Sequence, residues 1–504
     1  MAKKNLKHKA ASGMVWTAIQ RYSTMFIQFI SGIILARLLT PYDYGCIGML
    51  SIFMVLAETF IDGGFGSALI QKKRPTQEDY STIFFWNLFM AVILYAILFA
   101  CAPVIARFYK IPLLSKVLRI QGVILFIYAF NIVQRNQLQK KLNFKVLSII
   151  TLISSIISLG VTIVLAYKGF GVWALVIQHI LVALIPAIAF WFFVKWRPIL
   201  VFSWKSFKEL FSFGLFMFLI QLINQFSVQL QGLLIGRFYN ASTMGYYSKA
   251  MRTESLASHS ISSVMNQVTF PVYAEMQDNK QALANVIKRV TMTLSYFSFP
   301  LLFLLLLVAK PLFVILYSDR WLPSVPYFQV LCIAGLASCL QSVNVQSISA
   351  IGKSKLNFIW TVIKRTIGIG AVLVGLVFFG MKGLLAGVVF NFWFSYLVNI
   401  CLVSKHIGYK WYQQIKDLLP VGIVSFVIAA ICYLVGNLLH LGMYADGGVK
   451  LVLYLILYLG WTIAFKPEAY KFFISALPNK FNFIKKLNKK SNDNQATKQI
   501  NEDI

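Results

Sequence analysis

Lys249, Arg252, Glu254 and His259 fall within one long apolar stretch of this chain, Lys364 and Arg365 within another, and Glu58 and Asp62 within a third. A charge near the centre of a bilayer costs at least about 2.5–3.5 kcal/mol on insertion scales, so each of these groups needs water, a partner or a bound species. The i, i+4 spacing of Glu58 and Asp62 turns both to one side of a helix, and Gln221, Gln225 and Gln229 repeat on the same period with Asn224 between them. Arg21 stands at the position that corresponds to Gln221 in the duplication described below. The chemistry these types can do is binding rather than bond-making. Ammonium and guanidinium groups (Arg21, Lys249, Arg252, Lys364, Arg365) hold phosphate or acidic sugars, and amides (Gln221, Asn224, Gln225, Gln229) meet hydroxyls. Glu58, Asp62, Glu254 and His259 are candidates for taking up a coupling sodium ion or proton. Cations outnumber anions in these stretches, which favours an anionic cargo. The plainer alternatives are interhelical hydrogen bonds worth about 0.6 kcal/mol each, an ion pair of Glu254 with a nearby arginine, and a satisfied histidine. No HExxH, GxSxG, Walker or metal-ligand spacing is present, so no catalytic residue, metal or cofactor is expected.

The elements that must position these groups are membrane helices. Of 504 residues, 59% are hydrophobic and only 12% charged, outside the range of soluble domains. A span needs about 20 mainly apolar residues, and the apolar runs here are long and continuous, without the alternation of a β-barrel strand. Fourteen helices are expected. The first six cover 13–38, 44–69, 80–106, 114–137, 145–167 and 171–194. The next six cover 208–236, 243–273, 284–309, 325–350, 356–380 and 383–403, and the last pair 418–439 and 447–465. The first run is too long for a signal-peptide core and carries Arg21, so no cleavable signal is expected. The six cysteines stand singly, as packing residues.

The net charge of +31 is a topology signal rather than a nucleic-acid footprint. Most lysines and arginines between these helices fall on one side, which the positive-inside rule makes cytoplasmic, together with both termini. The motif SGIILARLLTPYDYG, residues 31–45, returns two hundred residues later as QGLLIGRFYNASTMG, and Lys141-Leu142-Asn143-Phe144 returns as Lys355-Leu356-Asn357-Phe358. Two parallel six-helix repeats are therefore expected around a central cavity: an N-lobe at 1–200, a C-lobe at 201–410, two further helices at 411–465 and a basic cytoplasmic tail at 466–504. Arg37 and Arg237 occupy equivalent helix ends, where they either snorkel or form a symmetric outer gate.

LARLLTPYDYG (Leu35 to Gly45), IDGGFGSALIQ (Ile61 to Gln71), RNQLQKKLNF (Arg135 to Phe144) and GVWALVIQ (Gly171 to Gln178) resemble the polysaccharide transporters of the Wzx/WzxC type. These belong to the multidrug/oligosaccharidyl-lipid/polysaccharide flippase superfamily. The resemblance implies an all-α integral membrane protein with a MATE-like fold in a bacterial inner membrane. It also implies alternating-access translocation of an undecaprenyl-pyrophosphate-linked oligosaccharide, such as a lipopolysaccharide, capsule or exopolysaccharide repeat unit. Partners would be that lipid-linked glycan, membrane lipids, and a glycan polymerase with its chain-length regulator, and not nucleic acid. Two competitors are a multidrug or metabolite exporter on the same fold, which would favour an acidic cavity, and a membrane-embedded glycan polymerase or ligase. The second needs a sizeable external loop, and no expected outer segment is much longer than about fifteen residues.

Overall fold

The computed structural model describes the backbone of residues 2–276 and 278–476; the side chains of 2–15, 263–268, 473–476 and several single positions, His259 among them, lie outside that description. The chain forms two compact units. One comprises Met1–Leu256, Phe313–Leu331 and Phe358–Asn391, and the other Ala257–Leu312, Cys332–Asn357 and Phe392–Ile504.

The first half of the sequence folds into α1 (Ala2–Leu38), α2 (Pro41–Asp62), α3 (Phe65–Gln71), α4 (Gln77–Tyr109), α5 (Leu113–Gln121), α6 (Ile124–Lys140), α7 (Phe144–Tyr167) and α8 (Val172–Phe193). The second half forms α9 (Trp204–Phe238), α10 (Ala241–Glu275), α11 (Lys280–Leu307), α12 (Ala309–Tyr317), a 3-10 turn (Asp319–Ser324) and α13 (Val325–Ala350). It ends in α14 (Ser354–Ile407), α15 (Trp411–Leu439), α16 (Met443–Phe465) and α17 (Glu468–Ala476). Among the described residues, eleven helical stretches are long and apolar enough to cross a membrane. The protein is an all-α, many-helix membrane bundle.

Local chemistry fixes the starts and breaks. Thr40 and Thr76 each cap a helix through a reciprocal box with Asp43 and Asp79, and Pro41 adds a preset φ at the first helical position. One helix expected over 44–69 is two: Gly63 and Gly64, at φ 53° and 77°, end α2 and turn the chain into α3. Hydropathy does not register such a break, because the apolar run continues through it. Glycine is required there, since a left-handed φ strains other residues. α14 holds the two helices expected over 356–380 and 383–403, with Gly380 (φ 59°, ψ −138°) as the break between them. A Cβ at Gly375 would overlap the Gly383 backbone, and one at Gly387 that of Ala371, so the two arms fold back as a close-packed hairpin.

In the first unit, the Lys140 ammonium donates to the carbonyls of Leu69 (2.9 Å), Ile70 (3.1 Å) and Lys72, which leave the end of α3 without intrahelical donors. Lys140→Met is expected to destabilise the protein by about 1–3 kcal/mol, with Lys140→Arg milder. Thermal unfolding of the purified protein in detergent measures both. Lys72 itself bridges Asp79 and Glu209, each at 3.0 Å, and so ties α3 to α4 and α9. Burial works against its charge, but Glu209 and Asp79 outweigh that and raise its pKa. The Lys72 charge therefore persists at neutral pH and is lost only above the ordinary lysine range.

In the second unit, α11 packs against α15, α16 and α17. Tyr296 donates to Thr462 (3.0 Å), Tyr458 to the Tyr296 carbonyl (2.9 Å), and Lys288 pairs with Asp417 at 3.2 Å. Lys450 and Asp446 form an i, i+4 pair at 2.6 Å within α16.

Candidate functional site

The residues singled out in the sequence are best organised around the end of the first unit where α1 stops at Leu38. The last carbonyls of a helix have no intrahelical donors, and here they are supplied from a distance. Leu39 N–H serves Leu35, while the Trp321 indole N–H donates to the Ala36 carbonyl at 2.8 Å. In return, the Arg37 guanidinium donates to the carbonyls of Leu316 (3.2 Å) and Ile315, in the last turn of α12. The two helix ends cap one another.

Lys249 completes this junction. Its ammonium donates to the Gly32 carbonyl at 2.6 Å and lies 4.0 Å from the ring centre of Tyr317, 5.1 Å from Tyr44 and 5.5 Å from Trp321. Only 3% of the residue is exposed. Tyr44 meets Trp321 edge-on at 5.3 Å, and Tyr246 does so at 6.2 Å. The rings therefore form a cage whose negative faces hold the cation by the attraction of a charge for a ring quadrupole. Gly32 leaves its carbonyl accessible, since even a Cβ there would come within 3.7 Å of the ammonium. Thr253 and Tyr317 share a hydroxyl–hydroxyl bond of 3.0 Å one turn along α10.

The helix starts beside this cage interlock reciprocally. Gly45 packs on the carbonyl of Ala241, and Gly245 packs on the carbonyl of Pro41. Gly45 and Gly245 correspond in the repeated motif, as do Pro41 and Ala241, so α2 and α10 cross by an approximate two-fold. The symmetry stops at the cation. Met49, buried and apolar, stands where the other copy has Lys249.

Other predicted site residues fall as follows. Arg252, exposed, lies one turn from Lys249 along α10. Arg365 Nε donates to the Asn224 side-chain oxygen at 3.0 Å, which joins two of the predicted residues across α14 and α9. Its neighbour Lys364 is only 5% exposed. Gln229 accepts from Ser51 at 2.9 Å, Gln225 is half-buried, and Gln221 is exposed, as is Arg21. Glu58 and Asp62 are half-buried on α2, with the Gly64 and Gly66 amides facing Asp62. Glu254 is half-buried on α10. Arg237 stacks over Phe108 at 5.0 Å, so the equivalent Arg37 and Arg237 have unlike partners. The side chain of His259 lies outside the described residues.

Sequence reasoning did not find the cage. Tyr44, Tyr317 and Trp321 are distant in the chain, and aromatic residues in apolar runs carry no signal of their own. Half-buried His179, which meets Gln121 at 3.3 Å, was also not singled out. The unexplained charge of Lys249 was the one available hint.

The family model described as polysaccharide biosynthesis protein matches residues 34–326. The teichuronic acid biosynthesis protein TuaB of Bacillus subtilis (strain 168) is 30% identical over 351 residues, 69% of this chain and 73% of that protein. The lipopolysaccharide biosynthesis protein WzxC of Escherichia coli (strain K12) is 22% identical over 441 residues, 85% of this chain and 89% of that one. In fold, the chain is similar to a solved structure of the lipid II flippase MurJ in an inward closed conformation. That likeness has a TM-score of 0.71 at 15% identity and covers 89% of this chain and 99% of that one. With the family model matching more than half of its length, the chain belongs to the polysaccharide biosynthesis protein family, in its Wzx/WzxC-type branch on a MATE-like fold.

Proposed function

We propose that this protein is a flippase that carries a polyprenyl-pyrophosphate-linked oligosaccharide across the bacterial inner membrane by alternating access. The observation that carries the reading is the Arg365–Asn224 bond. A guanidinium within a membrane helix is held by a neutral amide rather than a carboxylate, so that bond orients the charge without cancelling it. A pyrophosphate headgroup with sugars needs such a basic, hydrated passage, while its polyprenyl tail can stay in lipid. Arg252 and Lys364 add positive charge, and Gln221, Gln225 and Gln229 offer amides to sugar hydroxyls. Glu58 and Asp62 are the sites at which a sodium ion or proton would couple. The names of TuaB, WzxC and MurJ, which speak of teichuronic acid, lipopolysaccharide and lipid II, support a lipid-linked glycan as the cargo class.

The accompanying architecture has fourteen spans in two parallel six-helix lobes, 1–200 and 201–410, with two further helices at 411–465 and both termini cytoplasmic. Three facts support it. The hairpin at Gly380 lets α14 cross twice. α1 and α10 are long enough to span but more polar than their neighbours, as passage-lining helices would be. The reciprocal Gly45 and Gly245 contacts fit a duplicated pair.

A charge-assisted hydrogen bond contributes about 1.5–3 kcal/mol, and each 1.4 kcal/mol is tenfold. Arg252→Gln and Arg365→Gln should each slow movement of a fluorescent lipid-linked oligosaccharide in proteoliposomes about tenfold or more, with unchanged gel-filtration profiles. Parental rates in both variants would refute the assignment.

A further inference from the structure

Lys249 is as buried as a core leucine, yet its side chain ends in an amine, and as an ammonium it is held by the cage. Three ring faces and one carbonyl surround it, and they come from four elements: α1, α2, the end of α12, and the 3-10 turn. A cation that joins four elements at one point acts as a pin. Release of the ammonium would remove the shared tie between α10 and those four elements, leaving Arg37 and Trp321 to hold the end of α1. The cage is also exchangeable in principle. Cation–ring attraction contributes modestly, whereas a phosphate oxygen offers an ammonium a full opposite charge and a charge-assisted hydrogen bond. Arg252, exposed one turn along α10, marks where an anion would first arrive. An anion held there by Arg252 lies one helical turn from Lys249 on α10.

We propose that Lys249 is a cargo-released latch: caged by Tyr44, Tyr317 and Trp321 it keeps this end of the bundle shut, and a diphosphate headgroup at Arg252 draws its ammonium out and lets the end open. The second half of this proposal rests on the flippase reading above; the first half does not. It assigns the two neighbouring cations different tasks. Arg252 receives the headgroup, and Lys249 reports its arrival to the closed end. The duplicate position, Met49, cannot do this, which makes the response a property of one lobe.

The natural Cys46 provides the readout. It is fully buried and adjacent to Gly45, whose contact with Ala241 must part if the end opens. In a background where Cys101, Cys332, Cys339, Cys401 and Cys432 are replaced by alanine, labelling of Cys46 by N-ethylmaleimide is followed by mass spectrometry, with and without geranyl diphosphate. The parent should label slowly, and about tenfold faster with geranyl diphosphate but not with geraniol. Lys249→Met should label fast without any probe and gain nothing from it, while Lys249→Arg stays slow. Tyr317→Leu, which keeps the lysine and removes the nearest ring, should also label fast. Parental labelling rates in both Lys249→Met and Tyr317→Leu would overturn the latch. Fast labelling in those variants with no response of the parent to geranyl diphosphate would overturn release by cargo. Failure of the flippase reading shows separately, as unchanged transport in Arg252→Gln and Arg365→Gln.

Discussion

Gly45→Ala is expected to destabilise the protein by about 2 kcal/mol, and Gly245→Ala by a similar amount, by overpacking a backbone contact. Helix propensity alone points the other way, since alanine is favoured over glycine in a helix interior by about 1 kcal/mol. The contact decides the sign. A Cβ at Gly45 would overlap the Ala241 carbonyl, and one at Gly245 the Pro41 carbonyl. Main chain at a helix start cannot rotate away as a flexible side chain can, so one helix end must move. Gly160, with open space around it, isolates the propensity effect, and Gly160→Ala should be neutral or slightly stabilising. Both clashes push apart the same two helix starts, so the double variant Gly45→Ala/Gly245→Ala should cost less than the two singles together. Thermal unfolding in detergent measures all four variants. If Gly45→Ala behaves like Gly160→Ala, the interlock carries no energy.

That interlock shows what the sequence could and could not reveal. The repeated motif contains both glycines, so their correspondence was readable; that each one packs on the other copy's helix start was not, because a repeat does not state how its copies meet. Helix existence was legible wherever an apolar run was unbroken, and 145–167 was expected where Phe144–Tyr167 is found. It failed where glycine geometry overrides hydropathy, at Gly63–Gly64. The short α12 was absorbed into a loop, although its last carbonyls receive Arg37. Among the site residues, Asn224 and Arg365 were both singled out, and only the fold joins them. Lys249 was singled out because an intramembrane charge needs water, a partner or a substrate. The partner in this structure is a set of ring faces, and no periodicity points to quadrupoles. Arg37 and Arg237 look alike in sequence, but one caps a helix and the other covers Phe108. Equivalence in a duplication is equivalence of backbone position, and neighbours decide the rest.

Trp321→Ala should have the largest effect of any single change at this end of the bundle. The indole is fully buried, donates to the Ala36 carbonyl, and meets Tyr44, Tyr246 and Tyr317 edge-on. Truncating a buried tryptophan costs about 3–5 kcal/mol in well-packed cores. Trp321→Phe separates two parts of that loss. It keeps most of the ring contact but leaves the Ala36 carbonyl without its donor, which costs about 1–3 kcal/mol. Where the loss appears depends on what the contact does. If Trp321 only supports the fold, both variants lower the unfolding temperature in proportion. If its contacts exist only while this end is shut, the loss instead shifts the closed-to-open ratio by about a hundredfold or more for Trp321→Ala. Spin labels at Tyr42 and Asp319, both exposed near the junction, distinguish the two. The expected result is a broadened, longer distance distribution in Trp321→Ala, a partial shift in Trp321→Phe, and unfolding temperatures that fall less than the truncation cost implies. An unchanged distance distribution in Trp321→Ala, with the whole loss in the unfolding temperature, would make the junction a permanent joint rather than a gate. The helix ends that cap one another here would then have to move as one body during transport.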